Sequence, residues 1–308
     1  MPNKILYFNG CSWAEGAELD NREEDRCSAI LSNKLGYREV NKGGSGKSHD
    51  EIIKETLLYA YKNKDNSDNI IINVMLTSPE RILMYCNDKS MVFNWWLIMD
   101  TGAPHGGSGF EDWRFDERHA TFDLARLWSA YFHNLDFYID RYLKDILLLN
   151  NTLETLGYNF VLANAFYNFN TKPDEPNLPF YEESTTSGPD VKYSGKSHSW
   201  EKSLGHYDLF DSVFKKISKK NLLYDQNTFF HVRGKNAIEH SIKDALVALW
   251  DGRKKDYLNN YDTKKLSSIL TYKGEPNYFF CTNGHPSELG NMKMADLFYR
   301  HYKNHEYI

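Results

Sequence analysis

This sequence has no surplus of positive charge. Its 37 Lys and Arg stand against 42 Asp and Glu, a net charge of −5, so nothing in it is built to neutralise a run of phosphates, and nucleic acid is excluded as a main partner. It has few cysteines, and Cys11, Cys27, Cys86 and Cys281 are scattered without a CxxC pair or the spacing of a zinc site. Such isolated cysteines read as free thiols in a reducing compartment. No apolar run approaches the ~20 residues that span a bilayer, and MPNKILYFNG leads into a strand pattern rather than the blocks of a secretory leader. A cytoplasmic protein with no membrane partner is the expectation. There is no internal repeat and no low-complexity tract.

What remains is a globular composition. Hydrophobic residues make up 41% and charged residues 26%, enough to bury a core. KILYFN (residues 4–9) is a short apolar run stopped by Gly10 and predicts a buried strand. A helix is expected around DRCSAILSNKLG, with Cys27, Ile30, Leu31 and Leu35 at helical spacing and Gly36 as its stop. YREVN reads as a second strand and HDEIIKETLLYAYKN as a second helix, with Ile52, Leu57 and Tyr59 among its apolar positions. NIIINVML (69–76), continuous and β-branched, reads as a buried third strand. This βαβαβ order predicts an α/β fold in three layers, helices covering both faces of a central parallel sheet. Sites on such sheets gather at the carboxyl ends of the strands.

Further along, a helical pattern runs from 121 to 156 and stops at Gly157, and YNFVLANAF reads as a fourth strand. NYFFC (277–281) predicts a last short strand. PSELGNMKMADLFYRHY predicts a closing helix with Leu289, Met292, Ala295 and Phe298 or Tyr299 toward the core. The reading is one domain over 1–308, with insertions at about 85–120 and 168–275.

The stretch VNKGGSGKSHDE (40–51) contains GSGKS, which invites comparison with a phosphate loop. A Walker loop needs GxxxxGK[ST], with the lysine on the outer phosphates and the hydroxyl on magnesium. Gly46, Lys47 and Ser48 fit, but Asn41 stands where the first glycine belongs. The apolar strand at 69–76 runs into TSPER rather than ending in a magnesium-binding aspartate. A second pattern takes in the same loop. GCSWAEG sets Ser12 in a tight turn after the first strand, and TNGHPSELG sets His285 between the last strand and the final helix. Both fall at carboxyl ends of predicted strands, as a nucleophile and its general base require. Taken singly, Ser12 reads as a helix cap and Gly46 as a turn glycine.

These blocks resemble the SGNH (GDSL-like) hydrolases, a family of flavodoxin-like esterases, thioesterases and carbohydrate deacetylases. GCSW resembles the nucleophile block, with Cys11 where aspartate is usual, a variant similar to bacteriophage and bacterial members. NKGGSGKS resembles the second block, and the resemblance makes Gly46 the glycine whose N–H helps hold the oxyanion. HPSELG, with Pro286 and Gly290 at the family spacing, is the most specific match. Two blocks depart. The family's GxND is replaced by LTSPER, leaving Thr77, Ser78, Asn73 or Asn164 as candidate donors to the oxyanion. The aspartate expected shortly before the histidine is replaced by Thr282 and Asn283, so Asn283 or a backbone carbonyl would orient the ring of a Ser–His dyad.

Arg81 reads as a candidate contact for an acidic substrate group, or as a solvated arginine. Trp95, Trp96 and Trp113, in NWWLIMDTGAPHGGSGFEDWRF, could stack on sugar faces, line an acyl pocket or pack a lid. The resemblance implies hydrolysis of a small O-acyl ester, such as an O-acetyl carbohydrate, without metal or organic cofactor. Two alternatives stay open, an inactive module of the same fold that binds glycans or serves structure, and a P-loop nucleotide enzyme. The oligomeric state is not legible.

Overall fold

A computed structural model describes residues 4–77, 79, 81–86, 89–94, 105–106, 135–165, 213, 216–223, 242, 246, 270–272, 275–277, 279–281 and 285–308. The fold is α/β. Its sheet has the order β2-β1-β3-β7, formed by β1 (Ile5–Gly10), β2 (Arg38–Asn41), β3 (Ile70–Leu76) and β7 (Asn159–Asn164). β1 pairs in parallel with β2, Ile5 opposite Arg38, and with β3, Gly10 opposite Met75. This is the 2-1-3-4 start of the flavodoxin-like order. Every residue of β1 and β3 is buried, which is why both read as unbroken apolar runs.

By contact the chain groups into two compact units. The first comprises Met1–Glu15 and Arg38–Leu162, and the second Gly16–Tyr37 and Ala163–Ile308. In the first, the short helix α1 (Ser12–Glu15) follows β1, and α4 (His49–Lys62) follows β2. Ser48 caps α4, its hydroxyl accepting from the Glu51 N–H while the Glu51 carboxylate accepts from the Ser48 N–H, a reciprocal capping box. The buried face of α4 is His49, Ile52, Ile53, Thr56 and Ala60; Leu57 and Tyr59 flank it. Helix α5 (Leu135–Thr155) packs against α4 and ends before Gly157 in the left-handed region, at φ +75°. The expected residues 121–134 of this helix lie outside the described residues.

Strands β4 (Arg81–Cys86), β5 (Lys89–Asn94) and β6 (His105–Gly106) form a separate antiparallel sheet. It lies where the sequence suggested an insertion beginning near residue 85, and the strands themselves were not foreseen. The Trp-rich positions Trp95, Trp96 and Trp113 fall outside the described residues.

In the second unit, α2 (Arg22–Asp25) and α3 (Cys27–Leu35) precede the Gly36 stop, and α6 (Glu288–Asn304) packs on α3. The buried side of α6 includes Leu289, Met294, Ala295, Phe298 and Tyr302, whereas Met292 is exposed, contrary to expectation. The buried residues fall at i, i+5, i+6, i+9 and i+13, so the core stripe passes through Met294. The predicted strand 277–281 does not form as such. Residues 275–277 are β9, paired antiparallel with β8 (Leu270–Tyr272), and Phe280 makes a single bridge to Pro286. Cys11, Cys27 and Cys281 are buried thiols that form no disulfide.

Candidate active site

Three parallel strands, β2, β1 and β3, deliver their carboxyl ends to one edge of the sheet in the first unit. Beyond β1, the Ala14 and Glu15 N–H groups donate to the Cys11 carbonyl at 2.9 and 3.1 Å, winding the turn that begins α1 at Ser12. Ser12 is 8% exposed, close to the surface without being open to it.

The loop after β2 is fastened to that turn. Asn41 donates from Nδ2 to the Ala14 carbonyl (2.7 Å), and its Oδ1 accepts from the Gly43 N–H (2.7 Å). The Gly44 N–H donates to the Gly10 carbonyl at 3.1 Å. Gly43 lies so close to α1 that a Cβ there would come within 2.4 Å of the Glu15 nitrogen, so no other residue fits without moving the loop. Gly46 then takes φ +75°, with the Lys47 N–H donating to the Gly44 carbonyl at 3.2 Å, as position i+2 of a type II turn. The two glycines serve different ends, one proximity and the other handedness.

Lys47 and Ser48 already hold structural positions. The Lys47 ammonium pairs with the Glu55 carboxylate and donates to the Lys42 carbonyl at 2.6 Å, while the Ser48 hydroxyl is the helix cap. The two side chains a phosphate loop would turn on nucleotide and magnesium instead fasten the loop to α4.

Beyond β3, Thr77 is fully buried, and its Oγ1 has no hydrogen-bond partner among the described residues. A buried hydroxyl in that condition needs a reason. Asn73, the alternative donor on this strand, gives its Nδ2 to the Tyr7 carbonyl (3.2 Å); it belongs to the sheet interior. Asn164 is buried at the end of β7. Ser78 lies outside the described residues.

Arg81 opens β4 and lines a void of ≈ 10 Å³ with His49, Asp50, Pro79, Tyr138, Arg141 and Tyr142, too small for a substrate's acidic group. His49 is completely buried there, and burial, helped by the Arg141 charge, pushes its pKa down to about 3. The larger groove nearby runs between α4 and α5, lined by Ile53, Leu57, Leu58 and Tyr61 among others. It holds none of the sequence-derived site residues.

In the second unit, His285 is held from both sides of the chain. The Cys281 N–H donates to the His285 carbonyl (2.7 Å), and the Ser287 N–H to the Phe279 carbonyl (3.0 Å). Ser287 caps α6 by accepting from the Gly290 N–H at 3.2 Å. Gly290 is required because a Cβ would lie 2.3 Å from the Phe279 oxygen. Asn291 donates to the Pro286 and Ser287 carbonyls (2.9 and 3.0 Å) and accepts from the Cys27 N–H (2.9 Å). The HPSELGN stretch thus fixes where the imidazole leaves the backbone.

Asn283 lies outside the described residues. The described partner of the ring is Glu18, whose Oε2 is 2.7 Å from His285 Nδ1, with side chains 18% and 24% exposed. Sequence reasoning missed Glu18 altogether. Among the described residues, no group of three or more His, Cys, Asp or Glu is placed to hold a metal ion, and no helix is long and apolar enough to cross a membrane.

No family model and no curated protein matches the chain. Solved structures do match it. One is TesA, at 10% identity over 98% of this chain and 99% of that one, with a TM-score of 0.42. Another is Axe2, an acetylxylan esterase from Geobacillus stearothermophilus, at 14% identity, 97% and 93% coverage and a TM-score of 0.39. A third is a member of the lipolytic protein G-D-S-L family from Veillonella parvula, at 11% identity, 96% of each chain and a TM-score of 0.38. The chain is thus similar in structure to TesA, to an acetylxylan esterase and to a member of the lipolytic protein G-D-S-L family.

Proposed function

We propose that this protein is a serine esterase acting on a small O-acyl ester. One observation carries the reading. Ser12, Gly46 and Thr77 leave the carboxyl ends of three adjacent parallel strands, with the Gly46 loop hydrogen-bonded to the Ser12 turn. Sheets of this kind carry their chemistry at that edge.

In the proposed reaction Ser12 Oγ attacks the acyl carbonyl carbon while its proton passes to His285 Nε2. The oxyanion is met by the N–H groups of Ser12 and Gly46 and by the Thr77 hydroxyl. Collapse expels the alcohol, which takes the proton from the imidazolium. Water, deprotonated by the same nitrogen, then attacks the acyl-serine and releases the carboxylic acid and Ser12. A carbohydrate O-acetyl ester is the proposed substrate class, drawn from the sequence resemblance and the Trp-rich stretch.

Fluorophosphonate labelling tests the proposal. Wild type should form an adduct that Ser12→Ala and His285→Ala do not, and p-nitrophenyl acetate turnover should vanish with it. If wild type stays unlabelled at every pH from 6 to 9, the esterase reading is wrong and a module that binds without catalysis takes its place.

A further inference from the structure

The strongest feature outside the expected site is the residue that holds the histidine. A carboxylate can only accept, so at 2.7 Å from Glu18 Oε2 the Nδ1 of His285 carries the proton. In the neutral ring that leaves Nε2 as the basic nitrogen, the tautomer a general base needs.

The backbone around Glu18 supports a directed role. The Leu19 N–H donates to the Gly16 carbonyl at 3.3 Å, closing a four-residue turn in which Glu18 sits at the third position with φ +67°. Glycine or asparagine ordinarily fills that position. A glutamate there is strained, in a conformation retained only when surrounding structure or function demands it. The turn lies six residues past Ser12 in the chain, where no spacing rule would seek the acid of a triad.

Resting on the esterase reading, we infer that Glu18 is the positioning carboxylate of His285, fixing the imidazole's tautomer and orientation in place of the aspartate missing before the histidine. It does not itself exchange a proton; it steadies the imidazolium that forms when Ser12 is deprotonated.

The test compares the full-length chain with Glu18→Gln and Glu18→Gly by three readouts: fluorophosphonate labelling rate, melting temperature and the proton resonance of His285 Nδ1–H. In wild type that resonance should lie far downfield, as for an imidazole donating to a carboxylate, and it should be lost in both variants. Labelling should slow by roughly 10⁴-fold, the size of effect found when a triad acid is removed. For p-nitrophenyl acetate, kcat should fall with KM nearly unchanged. Glu18→Gly, freed of the left-handed strain, should melt no lower than wild type. The inference is overturned if the variants label within threefold of wild type, or if the downfield resonance persists in Glu18→Gln. It is equally overturned if Glu18→Gly loses melting temperature while keeping its labelling rate, the mark of a purely structural ion pair. A wild type that resists labelling defeats the esterase reading, and the resonance then decides separately whether Glu18 holds the ring.

Discussion

At the scale of single residues, two buried side chains make distinct expectations. The Thr77 hydroxyl is enclosed and unpartnered among the described residues. If it donates to an oxyanion, Thr77→Val, which keeps the shape and removes the donor, should lower kcat by about 10²–10³-fold with little change in melting temperature. Equal activity in the variant would remove Thr77 from the site. His49 speaks to stability instead. Its pKa falls from an ordinary 6.5 to about 3 through burial and the Arg141 charge, with Asp145 Oδ2 3.9 Å from Nε2. The folded state therefore favours the neutral ring. Its contribution is complete above pH 6.5 and drains away as pH falls toward 3, by at most about 5 kcal/mol at 1.4 kcal/mol per unit. Urea midpoints of wild type should drop across that window more steeply than those of His49→Phe. Parallel curves for the two proteins would contradict the assignment.

Glu18 shows why a residue can be structurally prominent and invisible in sequence. Its partner lies 267 positions away, and a glutamate in AEGAELDNREED is one acid among many. The one local signal is GAEL, a turn with no glycine at the place a positive φ requires. Thr77, by contrast, was within reach, because a hydroxyl directly after a buried strand falls where sites on parallel sheets form.

At the scale of elements, hydrophobic continuity decided what could be read. β1 and β3 are buried along their whole length, so composition alone announced them, and α3 and α5 end just before the glycines where stops were expected, Gly36 and Gly157. The β4–β6 sheet escaped because it is a short antiparallel arrangement within a stretch that reads as an insertion. NYFFC reads as a strand because it is apolar, yet Phe280 makes a single bridge, to Pro286, and is fully buried there. Asn291 joins the two parts of that region, holding the start of α3 and the first turn of α6 through three buried hydrogen bonds. Asn291→Leu removes the acceptor of the Cys27 N–H and the side-chain donor to the Pro286 and Ser287 carbonyls, so it should destabilise the chain by about 2–4 kcal/mol in chemical denaturation. A loss below 0.5 kcal/mol would mean that the amide is dispensable.

At the scale of the whole molecule, the GSGKS stretch resolves into a structural loop. With the Lys47 charge neutralised by Glu55 and Ser48 committed to its capping box, millimolar ATP and magnesium should leave the melting temperature unchanged, since a ligand that does not bind the folded state cannot raise it. A saturable rise that Lys47→Ala abolishes would restore the nucleotide reading. The parallel topology was legible because strands separated by helices admit few other arrangements. The grouping into two contact units was not legible, since its division at Leu162 falls inside YNFVLANAF, which reads as one continuous strand.

The sheet also has a boundary with a consequence for solution behaviour. Among the described residues its first strand is β2, four residues long, REVN, none of them buried. A rim so brief, bearing a guanidinium beside a carboxylate, offers a poor template for strand addition by a neighbouring molecule. Extension of the sheet from one copy to the next is discouraged at that margin, and fibrillar self-association should not begin there.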